Sequence, residues 1–150
     1  MTGTQATLRR ATADDQAIIR QIVIKDIGLD PTDLHWSHFV LAEIDGKIVS
    51  LGQIRPSKSA PELGSIATLP DHRGKGYAAM IIRRLLDDWE QPGPVYLECE
   101  YHNVTYYQKL GFVEIPLSDV PPSVLRFKHG VGAVLGKLFG IRGAVMKIER

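Results

Sequence analysis

Cysteine is nearly missing from this sequence: Cys99 stands alone among 150 residues. One thiol cannot close an intrachain disulfide or build a cysteine-rich zinc site, so the expected setting is a reducing, cytoplasmic one. An excess of charge of either sign is also missing. The chain has 18 Lys and Arg against 17 Asp and Glu, a formal net charge of +1. A general nucleic-acid binder usually carries a basic surplus, so no nucleic-acid partner is expected. Long apolar runs are lacking too. The most apolar tract, Val131 to Met146, is broken by Lys137, Arg142 and four glycines. That makes a poor membrane span, and no stable membrane insertion is expected. The first five residues, Met1 to Gln5, are polar and have no signal-peptide core. Internal repeats and low-complexity tracts are absent.

What is present is an ordinary globular mixture, 44% apolar and 23% charged. The length suits a single domain over residues 1–150, able to bury roughly two-thirds of its unfolded surface without a disulfide. Thr12 and Asp15 form a capping-box variant. Ala17, Ile18, Ile22 and Val23 then recur at helical spacing, predicting a helix over 13–27 stopped by Gly28. Asp30-Pro31 opens a turn into a short helix. Two strands, 39–44 and 47–54, flank Asp45-Gly46, the strongest hairpin signal in the chain.

A strand over 62–69 ends at Pro70-Asp71, and a glycine-rich turn leads into a helix over 77–90. Ala78, Ile81, Ile82, Leu85 and Leu86 share one face of that helix. A strand over 95–99 follows, then a short helix over 104–110 stopped by Gly111, and a strand over 112–115. Residues 123–138 read as a helix weakened by Gly130, Gly132 and Gly136, and 143–149 as a last strand. The pattern is a mixed α/β sheet, antiparallel at the front and parallel in the middle.

The most informative stretch is Leu69-Pro70-Asp71-His72-Arg73-Gly74-Lys75-Gly76-Tyr77-Ala78. It leaves a strand and opens a helix. Its glycines let backbone approach a ligand closely, with several N–H groups pointing the same way. The positive end of the helix lies behind it, and Arg73 and Lys75 add full charges. A pyrophosphate is the natural guest. The plain alternative is a solvated basic turn. The stretch is neither a Walker P-loop nor a dinucleotide fingerprint, because the required glycine and Lys-Ser/Thr spacings are missing.

A second block, Asn103-Val104-Thr105-Tyr106-Tyr107-Gln108-Lys109-Leu110-Gly111-Phe112, lies one helix and one strand further on. Together the two blocks resemble the GNAT superfamily of acyl-CoA-dependent N-acyltransferases. The likeness runs from Leu8 to about Ile115, and it loosely extends to amino-acid N-acetyltransferases. It implies an α+β fold with a mixed sheet of about six to seven strands, a splayed parallel pair and flanking helices. It implies acetyl-CoA as co-substrate, with no metal.

By this resemblance Arg73, Gly74, Lys75, Gly76 and Tyr77 would cradle the pyrophosphate, with Ala78 small where the helix passes the cofactor. Ile66, Ala67 and Thr68 would offer backbone groups to pantetheine and the thioester carbonyl, which requires a bulge or a splayed strand end. Asn103 would hydrogen-bond pantetheine, cap a helix, or do both. Tyr107 would act as general acid toward the CoA sulfur, and Glu62 stands where some members place a catalytic glutamate. Glu98 and Glu100 are alternative bases through water. Asp71 departs from the glutamine or arginine usual at its place, with Arg73 and Lys75 to offset it. Cys99 reads as a small hydrophobe and not a nucleophile, since the family transfers acyl groups directly.

The acceptor groove is expected along 27–39 and beyond Pro116. Between Asp119 and Glu149 there is no acid, while Arg126, Lys128, Lys137, Arg142 and Lys147 are cationic. This segment reads as a rim for an anionic acceptor, as a membrane or partner contact, or as a solvated face with a homodimer edge. His35 and His38 lack a third ligand at a sensible spacing, so no metal is assigned. The expected function is transfer of acetyl to a primary amine of a small molecule, amino acids included. Acetylation of a protein lysine or N-terminus and non-catalytic acyl-CoA sensing are the alternatives.

Overall fold

The computed structural model describes residues 5–57, 59–124 and 143–150. It comprises two compact units: Met1–Arg55 with Leu63–Glu90, and Pro56–Glu62 with Gln91–Arg150.

The first unit opens with a strand that the sequence pattern does not announce. β1 (Thr7–Arg10) pairs antiparallel with β2 (Phe39–Ile44), from Thr7 opposite Glu43 to Arg10 opposite Val40. None of its four residues is fully buried, so no apolar alternation marks it; its ladder with β2 decides the conformation. The capping pair works as expected. Thr12 N donates to Asp15 Oδ2 at 2.7 Å, and Asp15 N donates to Thr12 O at 2.9 Å. Arg9 grips the same carboxylate with two bonds of 2.8 and 2.9 Å and holds its pKa down at about 2.

The helix expected over 13–27 is one rod of three pitches. A 3₁₀ turn at Ala13–Asp15 leads into α1 (Gln16–Arg20) and then a π-helical stretch at Gln21–Ile27. Gly28 closes it at φ +79°, as anticipated. Ile19, Ile22 and Val23 are buried with Phe39, Leu41 and Leu51 in the core of this unit. The short helix expected after Asp30-Pro31 is reduced to a 3₁₀ turn at Trp36–His38. Gln16 organises the loop before it, accepting from Trp36 N at 2.9 Å and donating to Leu34 O.

Asp45 and Gly46, at φ +50° and +79°, form the hairpin between β2 and β3 (Lys47–Arg55). β4 (Glu62–Thr68) and α2 (Tyr77–Asp88) follow. α2 stops two residues short of the expected end, because Trp89 has left helical conformation. It buries Ile81, Ile82, Leu85 and Leu86. Gly52 makes this packing feasible. A methyl group there would come within 2.4 Å of Ile66 Cδ1 and 3.0 Å of Ile81 Cγ2.

In the second unit β5 (Val95–Glu100) runs antiparallel to β7 (Gly143–Ile148), from Val95 opposite Ile148 to Glu100 opposite Gly143. β6 (Val113–Ile115) pairs with the other edge of β7. Glu62, the first residue of β4, lies opposite Tyr96 in the parallel ladder, and Tyr96 N donates to Pro61 O at 2.9 Å. β4 thus begins in this unit and continues in the other, and the strand order is β1-β2-β3-β4-β5-β7-β6. This is the expected mixed sheet, with seven strands.

A 3₁₀ turn at Tyr101–Asn103 runs into α3 (Val104–Lys109). Gly111, at φ +100°, ends it in a Schellman motif, with Phe112 N bonded to Tyr107 O and Gly111 N to Gln108 O. Ala60, Tyr96, Val120, Val124 and Val145 form a core cluster. The helix expected over 123–138 falls outside the described residues from position 125 onward. So do Arg126, Lys128, Lys137 and Arg142. Lys147 lies on β7 and pairs with Glu149 at 2.9 Å.

Candidate active site

In the first unit the chain leaves β4, makes a 3₁₀ turn at Pro70–His72, and reaches α2 through Arg73-Gly74-Lys75-Gly76. Gly74 sits at φ +76° and Gly76 at φ +86°, a region that L side chains avoid. Nothing lies within 4 Å of where their Cβ atoms would be. These glycines are therefore required by backbone conformation and not by crowding inside the protein, and they leave clear ground in front of the turn. Gly76 is the N-cap of α2, and the first helical bond runs from Met80 N to Gly76 O at 3.2 Å. The N–H groups of residues 77–79 precede that ladder and face out of the helix end. No acid occupies the first turn of α2. A diphosphate fits this arrangement: donors, a positive helix end and no side chain in the way.

The flanking side chains are sorted by the same turn. Arg73 is exposed and donates from Nε to Thr68 O at 3.1 Å, tying the turn to the strand end. Lys75 is exposed, and Tyr77 and Ala78 are half-buried. Asp71 is exposed on the 3₁₀ turn, outside the glycine segment.

Upstream, β4 is not a regular strand. Ser65 lies at φ +52° inside it. Such a conformation in a serine turns the peptides around it out of the ladder's normal alternation. The irregularity expected of this strand therefore sits one residue before Ile66. Ile66 packs its side chain over Gly52, so any part it plays toward a ligand belongs to its backbone. Ala67 O and Thr68 Oγ1 both bond Ser50 Oγ, at 2.9 and 2.8 Å. Ser65, and the buried Gln53 and Arg55 that bond it, lie outside both sequence motifs. Polar residues within an otherwise apolar β3 were the available signal.

The second unit holds Glu62, Asn103 and Tyr107. Tyr107 is half-buried on α3, with its ring edge-on to Tyr106 at 5.2 Å and to Phe112 at 6.0 Å. Burial pushes its phenol up to about 12, with smaller contributions from Cys99 and Tyr106. At neutral pH it is a protonated donor. Asn103 occupies the N-cap position of α3 but makes no side-chain capping bond. Glu62 is half-buried at the start of β4. Glu100 is exposed and meets His102 Nδ1 at 3.3 Å. Cys99 is half-buried, its Sγ 4.0 Å from Met146 Sδ. Burial, together with Glu114, Glu98 and Glu100, raises its thiol to about 11. That is a neutral thiol and a poor nucleophile.

The rings of His35 and His38 lie tilted at 49° to each other, 5.7 Å between centres. Burial lowers the His38 pKa, with the His35 charge acting in the same direction and the Gln53 hydrogen bond opposing. Among the described residues no group of three or more His, Cys, Asp or Glu is placed to hold a metal ion. Nor does any described helix have the length and apolarity to cross a membrane.

The model of the acetyltransferase (GNAT) domain matches residues 35–114. The chain belongs to the GNAT acetyltransferase family. This match spans the glycine turn, β4 and α3, so both blocks singled out in the sequence lie within the GNAT domain. Solved GNAT structures share its fold. Rv2747 from Mycobacterium tuberculosis, crystallised with CoA, superposes with a TM-score of 0.68 at 20% identity, covering 96% of this chain and 99% of that one. N-acetylglutamate synthase from Neisseria gonorrhoeae, complexed with coenzyme A and N-acetyl-glutamate, gives 0.67 at 15% identity. That match covers 99% of this chain but 36% of the synthase. The ribosomal-protein-S18-alanine N-acetyltransferase from Escherichia coli gives 0.66 at 16% identity, covering 96% and 93%. No curated protein matches the sequence at a significant level.

Proposed function

We propose that residues 1–150 act as a single N-acetyltransferase domain. It would move acetyl from acetyl-CoA directly to the primary amine of a small molecule, with amino acids among the acceptors. The observation that carries this reading is the turn at Gly74 and Gly76, both in left-handed conformation with open space at the Cβ positions. Gly46 in the β2–β3 hairpin has the same conformation and open space, so what sets this turn apart is its place at the N-terminus of α2 with Arg73 and Lys75 beside it. CoA-bound Rv2747 and the N-acetylglutamate synthase in complex with coenzyme A share the fold, which supports the use of acetyl-CoA.

In this mechanism Arg73, Gly74, Lys75, Gly76, Tyr77 and Ala78 hold the pyrophosphate, chiefly through backbone N–H groups. Ile66, Ala67 and Thr68 line the pantetheine, and Asn103 hydrogen-bonds it with the amide that does not cap α3. The amine nitrogen attacks the thioester carbonyl carbon, and the carbonyl π pair moves onto oxygen. Glu62, directly or through water, takes the proton that the amine loses. When the C–S bond breaks, sulfur leaves with its electron pair and takes a proton from Tyr107, which solvent then restores. No acyl-enzyme is needed, in keeping with the neutral Cys99 thiol.

The test is thiol release from acetyl-CoA across a panel of amines, amino acids and peptides, alongside calorimetric titration with acetyl-CoA. Release with a small amine or amino acid is expected. Release confined to peptides would move the acceptor to proteins. Heat of binding without release from any acceptor would make the chain an acyl-CoA sensor. No heat at all would overturn the reading.

A further inference from the structure

β4 contains a buried serine in a conformation that serine rarely adopts. Ser65 is 9% exposed and lies at φ +52°. Its hydroxyl oxygen accepts two hydrogen bonds from the same unit, from Gln53 Nε2 at 2.9 Å and from Arg55 Nη2 at 3.1 Å. Both donors are themselves buried: Gln53 is 0% exposed and Arg55 is 7%. A serine oxygen has two lone pairs. Here both are engaged, one of them by a guanidinium, so the O–H bond is polarised and its proton is left to donate. Among the described residues no group accepts that proton.

The surroundings hold this arrangement in place. Gly64 leaves room for the arginine, since a methyl group there would lie 2.5 Å from Arg55 Nη1. Asp30 Oδ2 balances the guanidinium from 3.8 Å. A strained residue, a buried cation and a glycine clearance converge on one hydroxyl in the strand that precedes the glycine turn.

We propose that the Ser65 hydroxyl donates a hydrogen bond to the thioester carbonyl oxygen and strengthens it as that oxygen becomes an oxyanion. This rests on the acetyltransferase reading above. As the amine nitrogen bonds to the carbonyl carbon, the π pair shifts to oxygen. Ser65 donates to that oxygen without giving up its proton. The pair returns as the C–S bond breaks, and sulfur departs with its electrons. Arg55 and Gln53 are positioning residues: they hold the hydroxyl oxygen, and its proton is the part left to donate. A preorganised donor of this kind acts mainly in the transition state.

The test compares Ser65→Ala and Ser65→Gly with the wild-type chain. Three quantities are measured: heat of acetyl-CoA binding, thiol release with the best acceptor of the panel, and thiol release with water as acceptor. Glycine is at ease at φ +52°, so Ser65→Gly keeps the kink and removes only the hydroxyl. It also keeps the question open to measurement should Ser65→Ala fold poorly. In both variants kcat is expected to fall roughly a hundredfold, with acetyl-CoA affinity held within about twofold. A wild-type kcat in Ser65→Gly would overturn the proposal and leave the backbone kink as the functional element. So would a loss confined to acetyl-CoA affinity. If the wild-type chain fails to bind or to turn over acetyl-CoA, the acetyltransferase reading fails and Ser65 goes with it. If the wild type turns over and the variants match it, only Ser65's part is lost.

Discussion

The glycine turn of the first unit and α3 of the second present polar groups by opposite means. At 73–76 the work falls to backbone: two residues give up side chains so that N–H groups stand in the open. On α3 it falls to one side chain, and the neighbourhood is filled so that Tyr107 stays protonated between two aromatic rings. The first arrangement is sensitive above all to added atoms at Gly74 and Gly76. The second is sensitive to the loss of a single oxygen. The two arrangements fail in different ways, and each failure would leave its own kinetic trace.

The largest effect is expected from Tyr107→Phe. On the proposed mechanism, in which Tyr107 protonates the leaving sulfur, kcat should fall about a hundredfold or more while acetyl-CoA affinity stays near wild type. The pH profile sharpens this. Burial raises the phenol, so the donor form is complete at neutral pH and is lost only as pH rises toward about 12. No alkaline loss of rate from Tyr107 is expected below about pH 10. A limb near the ordinary tyrosine value that disappears in Tyr107→Phe would break the burial argument.

Gly76→Val comes next. A β-branched residue at φ +86° strains the backbone, and its branches occupy the cleared ground. Calorimetry should show acetyl-CoA affinity falling about tenfold to a hundredfold, an effect of roughly 1.4 to 2.8 kcal/mol. Unchanged affinity would remove the turn from the binding site. The smallest effect is expected at Cys99. Its thiol, raised to about 11, should resist alkylation at pH 8, and Cys99→Ala should keep kcat within about twofold. A large loss of rate would make the sulfur part of the chemistry.

Legibility follows the same division. The glycine turn was readable because backbone conformations that exclude side chains leave glycines in the sequence. The Asp45-Gly46 hairpin and the Gly28 and Gly111 helix ends were readable for that reason too. The buried face of α2 showed through helical spacing. β1 did not show, because none of its four residues is fully buried and its place is set by β2. The change of pitch at Gln21–Ile27 leaves no mark in composition. Ser65 carries no sequence mark, because serine is ordinary within a strand and only its φ of +52° reveals the strain. Gln53 and Arg55 stood in the sequence as polar interruptions of an apolar strand, but which partner they serve is a fact of tertiary structure.

The wide winding at Gln21–Ile27 has a consequence for how this fold tolerates change in length. A π-helical stretch holds more residues per turn than the α-helix it continues. Deleting one residue there would let the rod tighten to ordinary winding between the same endpoints. The segment is thus a reserve of slack between Ile19, anchored in the core, and the loop that follows Gly28.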